Sequence, residues 1–437
     1  MTEMKHDLPR QQQKKIGPLL MTILLLVAVI PLPATAAGFR ITNQSLGAVG
    51  LSGARTAYTP GPDASYYNPA NMHFSADQWQ VETSLTMLDL PTITYRDHRS
   101  PLLDASSESE RFFMPLVHAV SPAHGALRFG FSLTYPYGLA KKWQQPLPRA
   151  SAQRFSLFVV EANPSVAFAP LPWLSLGGGV RVVHGRGEVD TEVLNPPFDQ
   201  LAPLTSLSRS SDGTDTRPGY NLAMTIQPHD RLAVAATFRS EINLDLEGTS
   251  TLRAQAGSIP LATYSGPGSV GITLPAVLSL AAACTFDRLT VELGWDRTFW
   301  SSFTTLDFTY EENFLGTVFD GFDRPVPKNW QDSDAYRLGL TYAWDHRWTS
   351  TLGFAYDRTP VPAATLGFEL PDADALIYSA GIRYRYSPGL ELGLSYMYHY
   401  TKSRSVTNNS TAGLPGIDGT FTDGGAHALT LGLVTTF

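Results

Sequence analysis

"LELGLSYMYHY", residues 390–400, alternates between large apolar side chains and mostly small or polar ones along its whole length. Leu390, Leu392, Leu394 and three tyrosines form the first set; Glu391, Gly393, Ser395, Met397 and His399 form the second. Because successive side chains of a strand point to opposite faces, this period of two predicts a β-strand with one apolar face. The same pattern recurs at residues 289–296, 336–344 and 376–386.

Alternation of this kind fits a water-soluble sheet with one buried face as well as a strand that crosses a bilayer. Two features of the segments favour the membrane. They run for about ten residues, the length that a tilted transmembrane strand needs. Aromatic residues such as Trp344 and Tyr396–Tyr400 stand at their ends, as in the aromatic girdles of membrane barrels.

The connections between the segments alternate between short and long, which is typical of outer-membrane barrels. Short turns are predicted at residues 121–125, 170–172, 228–230, 287–288, 345–347 and 387–389. Long loops are predicted near residues 89–110, 136–152, 188–215, 246–269, 304–333, 358–374 and 401–424. Six turns and seven loops join fourteen strands. The predicted fold is all-β, a 14-stranded antiparallel transmembrane β-barrel over residues 78–437, which leaves no strand edge unpaired.

The amino terminus carries a targeting signal. Lys14 and Lys15 precede an uncharged run from Leu19 to Ile30, and Ala34-Thr35-Ala36 follows that run. This arrangement predicts a signal peptide over residues 1–36, because the apolar run is too short for a spanning helix. Its removal takes away four basic and two acidic residues, so the net charge changes from -7 to -9. The acidic balance argues against nucleic acid as a partner.

Residues 37–77 lie between the signal and the first strand and show no alternation. They are rich in Gly, Ala, Ser and Asn and contain "DASYYNPANM" at residues 63–72. Fourteen strands enclose a lumen too wide for wall side chains alone to fill. We therefore expect this segment to fold as a plug inside the barrel, rather than to trail from it as a periplasmic tail.

Several stretches resemble the FadL family of outer-membrane transporters for long-chain fatty acids and aromatic hydrocarbons. The likeness begins with "AGFRITNQSLGAVGLSGARTAYTPGPDASYYNPANM" at residues 37–72 and continues through "FGFSLTYPYGLAKKW" at 129–143. It includes "LPDADALIYSAGIRY" at 370–384 and the terminal "HALTLGLVTTF". The resemblance implies a plugged barrel in the bacterial outer membrane, which takes up hydrophobic molecules passively and releases them sideways through its wall.

The resemblance also implies roles for individual residues. Asn68-Pro69-Ala70 would belong to the gating hatch and lie against a kinked wall strand, and Phe39 and Ile41 would line an apolar substrate pocket. Arg186 and Arg337 occupy positions similar to basic groups that receive a carboxylate in fatty-acid transporters.

Departures from the family pattern favour a neutral hydrocarbon as ligand. Arg186 shares its parity with Val180 and Val182, so without a bulge it would not face inward. Ser333 stands in place of a basic residue, and Ala375 stands in place of an arginine.

Ionisable residues on the polar faces are predicted to pair inside the barrel and brace the plug. They are Arg128, Arg181, Glu292, Asp296, Arg337, Asp357, Arg383, Arg385 and Glu391. The expected partners are a hydrophobic small molecule, outer-membrane lipid with lipopolysaccharide, and the outer-membrane assembly machinery. We expect a monomer.

Two alternative functions remain open from the sequence. One is a general porin for polar solutes, in which residues 37–77 would leave the lumen open. The other is a barrel enzyme that hydrolyses lipids, with His427 on the apolar face as a possible catalytic group. The chain contains neither H-E-x-x-H nor G-x-S-x-G and has one cysteine, Cys284, so we expect no catalytic residues, no metal and no cofactor.

Overall fold

Fourteen antiparallel strands close into a barrel in the computed structural model of the chain, which describes residues 38–194, 205–409 and 416–437. This confirms the predicted fold class. The strands are β1 (Gln80–Leu90), β2 (Glu110–Val120), β3 (Leu127–Lys142), β4 (Arg154–Leu171), β5 (Leu174–Leu194), β6 (Ser206–His229), β7 (Leu232–Arg239), β8 (Val277–Phe286), β9 (Leu289–Thr298), β10 (Ser333–Ala343), β11 (Trp348–Asp357), β12 (Ala375–Ser387), β13 (Leu390–Thr401) and β14 (Gly425–Thr436).

The first and last strands close the barrel. β1 pairs with β14 in a register that places Gln80 opposite Thr436. Beyond that pair, Trp79 and Phe437 exchange two main-chain hydrogen bonds of 3.0 Å each. Within the described ranges, no helix is both long enough and apolar enough to cross a membrane.

Side chains alternate between the two faces of the wall, as predicted. Leu392, Leu394 and Leu431 are exposed on the outside, whereas Ser395 and Thr430 are buried on the inside. Exposed aromatic side chains stand beside the short turns, where an interfacial girdle is expected; they include Trp79, Trp173, Phe286, Trp344, Trp348 and Phe437. The wall therefore presents an apolar belt outward and a polar surface to the lumen.

The short turns lie at or next to the six predicted positions, but two predicted long loops are largely strand. β5 and β6 extend through much of residues 188–215, and residues 195–204 between them lie outside the described part of the chain. Residues 246–269 belong to a hairpin, Ile242–Ala256 with Ile259–Leu274, whose first strand pairs with the outer half of β6. Outside the apolar belt no lipid imposes a clean alternation, so sequence pattern alone misses these strands.

Shorter elements decorate the outer loops. Thr94–Asp97, Ala105–Ser106, Arg404–Thr407 and Asp418–Thr422 form a small sheet, and Thr305–Leu306 pairs with Val326–Pro327. Phe308–Tyr310 pairs with the hairpin. The remaining elements are the helix Pro146–Ala152 and the 3-10 turns Pro101–Leu103, Trp300–Ser302, Asp320–Phe322 and Ala363–Thr365.

Residues 38–79, called the N-terminal segment below, contain the short helices Leu46–Gly50 and Ala64–Tyr67 and the 3-10 helix Pro69–Phe74. Leu46–Gly50 contacts β11, β12, β13 and β14, whereas Pro69–Phe74 contacts β3, β4, β5 and β6. The segment therefore meets opposite sides of the wall. The predicted signal peptide, residues 1–36, lies outside the described residues.

A β-bulge interrupts β3. Its pairing with β4 shifts between Thr134 and Tyr137, where one extra residue is inserted around Pro136. Proline has no N–H to donate to a ladder, so it is tolerated at such an irregularity. The insertion reverses the alternation. Before it, the even-numbered residues Ser132 and Thr134 face the lumen. After it, odd-numbered residues such as Leu139 face the lumen, on the same side as Leu157 of β4.

Candidate functional site

A wall carboxylate anchors the middle of the N-terminal segment. Glu292 projects inward from β9, and its oxygens accept the main-chain N–H groups of Thr56 (2.7 Å), Ala57 (2.9 Å) and Tyr58 (2.9 Å). Glu292, Thr56 and Ala57 are buried. Because this irregular stretch has no ladder of its own, the wall side chain satisfies donors that burial would otherwise leave unpaired.

Other wall side chains bond the same segment. Glu82 accepts the N–H of Leu46 at 2.8 Å, and guanidinium groups donate to main-chain carbonyls: Arg337 to Ser52 at 2.7 Å, Arg239 to Tyr66 at 3.2 Å and Arg128 to Ala76 at 2.8 Å. The prediction that inward-facing ionisable residues brace this segment is confirmed for Glu292, Arg337 and Arg128, whereas Glu82 and Arg239 were not predicted. Arg383 and Arg385 instead pair with Glu391, at 3.1 and 3.9 Å.

A buried ion pair stiffens the segment from within. Arg55 and Asp63 lie 2.6 Å apart, and the hydroxyl of Ser45 donates to the same carboxylate at 2.8 Å. Burial alone would raise the pKa of Asp63, but the Arg55 guanidinium lowers it to about 2. Both groups therefore remain charged at any physiological pH.

Asn68-Pro69-Ala70 lies against β5 and β6. The side-chain amide of Asn68 donates to the carbonyl of Thr56 (2.7 Å) and to the hydroxyl of Thr225 on β6 (2.9 Å), and its oxygen accepts the N–H of Ala70 (3.0 Å). A Cβ at Gly177 of β5 would lie 2.4 Å from the Ala70 nitrogen. The wall thus needs a glycine to let the tripeptide approach.

Between the N-terminal segment and the wall lies a cavity of about 350 Å³. This volume falls within the roughly 300–1,000 Å³ of typical ligand pockets. Most of its lining is apolar, from Phe39 and Ile41 of the segment to Met114, Leu139 and Leu157 of the wall. The cavity could therefore hold an apolar molecule.

Phe39 lies in an aromatic cage at one side of the cavity. Its ring is 4.6 Å from that of Trp300, 5.6 Å from Trp330 and 6.0 Å from Tyr137. Gly38, at a φ of +65°, precedes it, and a Cβ there would lie 2.9 Å from Trp300. Edge-to-face ring contacts hold the start of the segment in place.

The wall is open between β2 and β3. The two strands pair only from Val117 opposite Leu133 to Val120 opposite Gly130, and the chain pairs again at Ser107 and Trp143. If that register continued, residues 110–116 would lie opposite residues 134–140, but in the part of the chain that the structure describes these two stretches form no ladder with each other. We call this gap the β2–β3 window. The cavity reaches it, because its lining includes Phe112 and Met114 on one side and Tyr135 on the other.

The N-terminal segment takes over the edge of β3 that β2 leaves free. Ile41 donates its N–H to Pro136 (2.8 Å), and Gly138 donates to Phe39 (3.0 Å). The side-chain amide of Gln44 both donates to the Tyr135 carbonyl (2.8 Å) and accepts its N–H (2.7 Å). The N-terminal segment thus supplies hydrogen-bond partners for the main chain of β3 from inside the lumen, while the wall between β2 and β3 stays open.

Ile41 fills the β2–β3 window. A Cβ at Gly138 would lie 3.0 Å from Cδ1 of Ile41. The same side chain packs against Met114, Leu116 and Tyr135. The cavity lining also includes Phe158, which is exposed on the outer face opposite Gly138. The cavity therefore reaches the outer surface beside Gly138, with Ile41 in the gap.

The two arginines predicted to meet a substrate lie in different settings. Arg337 is buried between Asp296 (3.0 Å) and Asp357 (3.6 Å) and does not line the cavity. Arg186 lines the cavity from the outer face, where its side chain is 60% exposed and pairs with Glu188 at 2.9 Å. The structure does not bring these two arginines together.

Other polar residues that line the cavity were not predicted from the sequence, among them Asp372 in the loop before β12. Burial raises the pKa of the Asp372 carboxyl to about 7, although the Thr359 hydroxyl, which donates to it at 2.6 Å, and the Arg404 guanidinium lower it. The aspartate-rich "LPDAD" motif was the available signal. Among the described residues, no group of His, Cys, Asp and Glu side chains could hold a metal ion.

A closed barrel with an apolar belt, an N-terminal segment bonded to its inner wall and an opening between two strands defines an outer-membrane transport protein. The family model described as Outer membrane protein transport protein (OMPP1/FadL/TodX) matches residues 27–437, and the chain belongs to that family. The earlier resemblance to the FadL family is therefore confirmed, as is the location in the outer membrane.

Named relatives agree with this assignment. The chain is 26% identical over 423 residues to the long-chain fatty acid transport protein of Escherichia coli K12, which covers 85% of this chain and 90% of the relative. It is 24% identical over 447 residues to outer membrane protein P1 of Haemophilus influenzae, with coverage of 90% and 94%.

Solved structures share the fold. A FadL homologue from Pseudomonas aeruginosa matches with a TM-score of 0.80 at 21% identity, over 92% of this chain and 100% of that one. The Pseudomonas putida toluene transporter TodX matches with a TM-score of 0.69 at 18% identity, over 92% and 100%. At these identities the matches support the architecture alone.

Proposed function

We propose that the protein carries hydrophobic compounds, long-chain fatty acids or related hydrocarbons, passively across the outer membrane. The observation that carries the proposal is an apolar cavity of about 350 Å³ that reaches a gap in the wall. A ligand that buries about 200 Å² of apolar surface there gains about 5 kcal/mol, without any charged partner. The named functions of the relatives, fatty-acid and toluene transport, support the same class of substrate.

In this proposal residues 37–77 are the plug. The bonds from Glu292 and the cage around Phe39 hold it across the lumen, so that polar solutes find no wide channel. Asn68, Pro69 and Ala70 pack closely on the wall at Gly177, and they are the candidates for gating. The signal peptide, residues 1–36, is removed before the plug folds.

The route runs from the outer loops to the cavity and then sideways into the membrane. At the outer end, a buried cluster of aromatic side chains, including Tyr264, Phe314 and Phe322, packs the hairpin against the loop before β10. A hydrophobic molecule leaves the cavity through the β2–β3 window when Ile41 moves aside. Lipid is the favourable destination, since the window opens on the apolar belt.

Transport in this scheme needs no covalent chemistry. His427, the residue considered for a lipid hydrolase, accepts or donates a 2.8 Å hydrogen bond with the hydroxyl of Tyr396 and stacks on Tyr398. Those contacts suit an interfacial aromatic cluster. A monomer is sufficient, because cavity and window both belong to one chain.

Filling the window tests the proposal. Gly138→Leu places a branched side chain where Ile41 now lies, so we expect uptake of a fluorescent hydrophobic probe to stop while the purified protein still binds it. Gly271→Leu is the control, because its Cβ meets nothing within 4 Å. Normal uptake in the Gly138 variant at normal surface levels would place the exit elsewhere.

A further inference from the structure

Lys141 is a buried cation in the wall of the cavity. The bulge at Pro136 turns odd-numbered residues of β3 toward the lumen, so Lys141 lies on the same face as Leu139. Its side chain lines the cavity, and the residue is only 7% exposed. A residue type that is almost never fully buried without a partner therefore faces an apolar space.

The Lys141 ammonium has no hydrogen bond or ion pair with any residue that the structure describes. The carboxylate that attracts it, Glu110, forms its ion pair with the neighbouring Lys142, at 3.1 Å. Two lysines thus face one glutamate, and Lys141 is the one left without an ion pair. An unpaired buried charge is costly, and an anionic ligand would remove that cost.

The other cations of the cavity are already engaged. Arg40 donates to Asp296 and to Thr298, both at 3.3 Å. Arg186 stands on the outer face with Glu188. Of the three basic side chains that line the cavity, Lys141 is the one whose N–H donors are free for a ligand.

We propose that Lys141 is the residue that selects an anionic amphiphile, a long alkyl chain with a carboxylate, over a neutral hydrocarbon of the same length. The carboxylate pairs with the Lys141 ammonium, while the alkyl chain lies along Leu139, Leu157 and Phe39. This inference rests on the proposed transport of hydrophobic compounds and assigns the head group that the cavity prefers. The basic residue missing at Ser333 is thereby replaced from another strand.

The test compares hexadecanoate with its methyl ester, which has the same alkyl chain but an uncharged head with one added methyl group. Both are titrated into the purified mature protein in detergent, as wild type and as Lys141→Met, Lys141→Arg and Lys142→Met. We expect the wild type to prefer the acid about tenfold or more, the effect of one charge-assisted hydrogen bond. Lys141→Met should lose that preference through weaker acid binding alone, and the other two variants should keep it.

Unchanged ester binding by Lys141→Met shows that its cavity is intact. An acid preference that survives Lys141→Met, or that Lys142→Met abolishes equally, overturns the role of Lys141. If wild type binds neither ligand, the proposed function itself fails. If the wild type binds the ester and the acid equally well, this inference alone is refuted, and the proposed function stands.

Discussion

Removing the Glu292 carboxylate should loosen the N-terminal segment where it crosses the lumen. The carboxylate accepts three main-chain N–H groups, from Thr56, Ala57 and Tyr58, at 2.7 to 2.9 Å. Each buried donor left unpaired costs about 1–3 kcal/mol, so Glu292→Ala should destabilise this stretch by about 3 kcal/mol or more. Glu292→Gln keeps the shape and one acceptor oxygen, and its effect should be smaller.

A loss of about 3 kcal/mol raises the population of the locally open segment about a hundredfold. The other anchors, such as the Arg337 bond to Ser52, remain in place, so the change should stay local. Hydrogen exchange of the peptide that contains residues 55–60 measures it directly, and single-channel conductance shows whether the lumen opens. We expect faster exchange and brief openings in Glu292→Ala, with intermediate values in Glu292→Gln.

Glu192→Ala provides the control, since this glutamate of β5 pairs with Arg149 in the outer loops and leaves the N-terminal segment untouched. Heat-modified mobility on gels reports whether each barrel has assembled. If residues 55–60 of an assembled Glu292→Ala barrel exchange at the wild-type rate, the three N–H donors must have another partner. That result would refute the role of Glu292 as the anchor.

Two further predictions concern gating and pH. Replacing Asn68 and Pro69 together by alanine removes the hydrogen bond to Thr225 and the rigid turn. Uptake of a hydrophobic probe should therefore slow, while barrel assembly, measured by surface labelling, is unchanged. Uptake at the wild-type rate would argue against a gating role. Asp372 has a pKa of about 7, so it is neutral below that pH and negative above it. Binding of an alkyl sulfonate, anionic throughout, should therefore weaken more between pH 6 and 8 in wild type than in Asp372→Asn; an equal fall in both proteins would exclude Asp372 as a cause.

The barrel was predictable because lipid imposes a strict pattern on each strand. An apolar residue at every second position, as at Leu390, Leu392 and Leu394, is required wherever one face meets the apolar belt and the other the polar lumen. The hairpin at residues 242–274 lies outside this constraint. Its strands carry threonine, serine and glycine on faces that meet water, and the sequence indicated a loop there.

The site was less predictable, because it depends on which strand face a residue occupies. Arg186 was a candidate by position in the chain, yet its parity places it on the outer face, as its neighbours Val180 and Val182 already indicated. Lys141 was overlooked, since counting forward from Ser132 without a bulge gives it an outward position. Pro136 was the available signal, because proline inside a strand indicates an irregular ladder.

The one-residue insertion around Pro136 links the separate features of the site. It ends the ladder with β2, which opens the window, and it exposes an edge that Phe39 and Ile41 occupy from inside. It also fixes the orientation of every later residue of β3. If β3 kept all its residues but had no bulge, Lys141 would point outward and Lys142 inward. Head-group selection and lateral exit therefore both depend on the bulge, and side-chain replacements such as Lys141→Met and Gly138→Leu test the two separately.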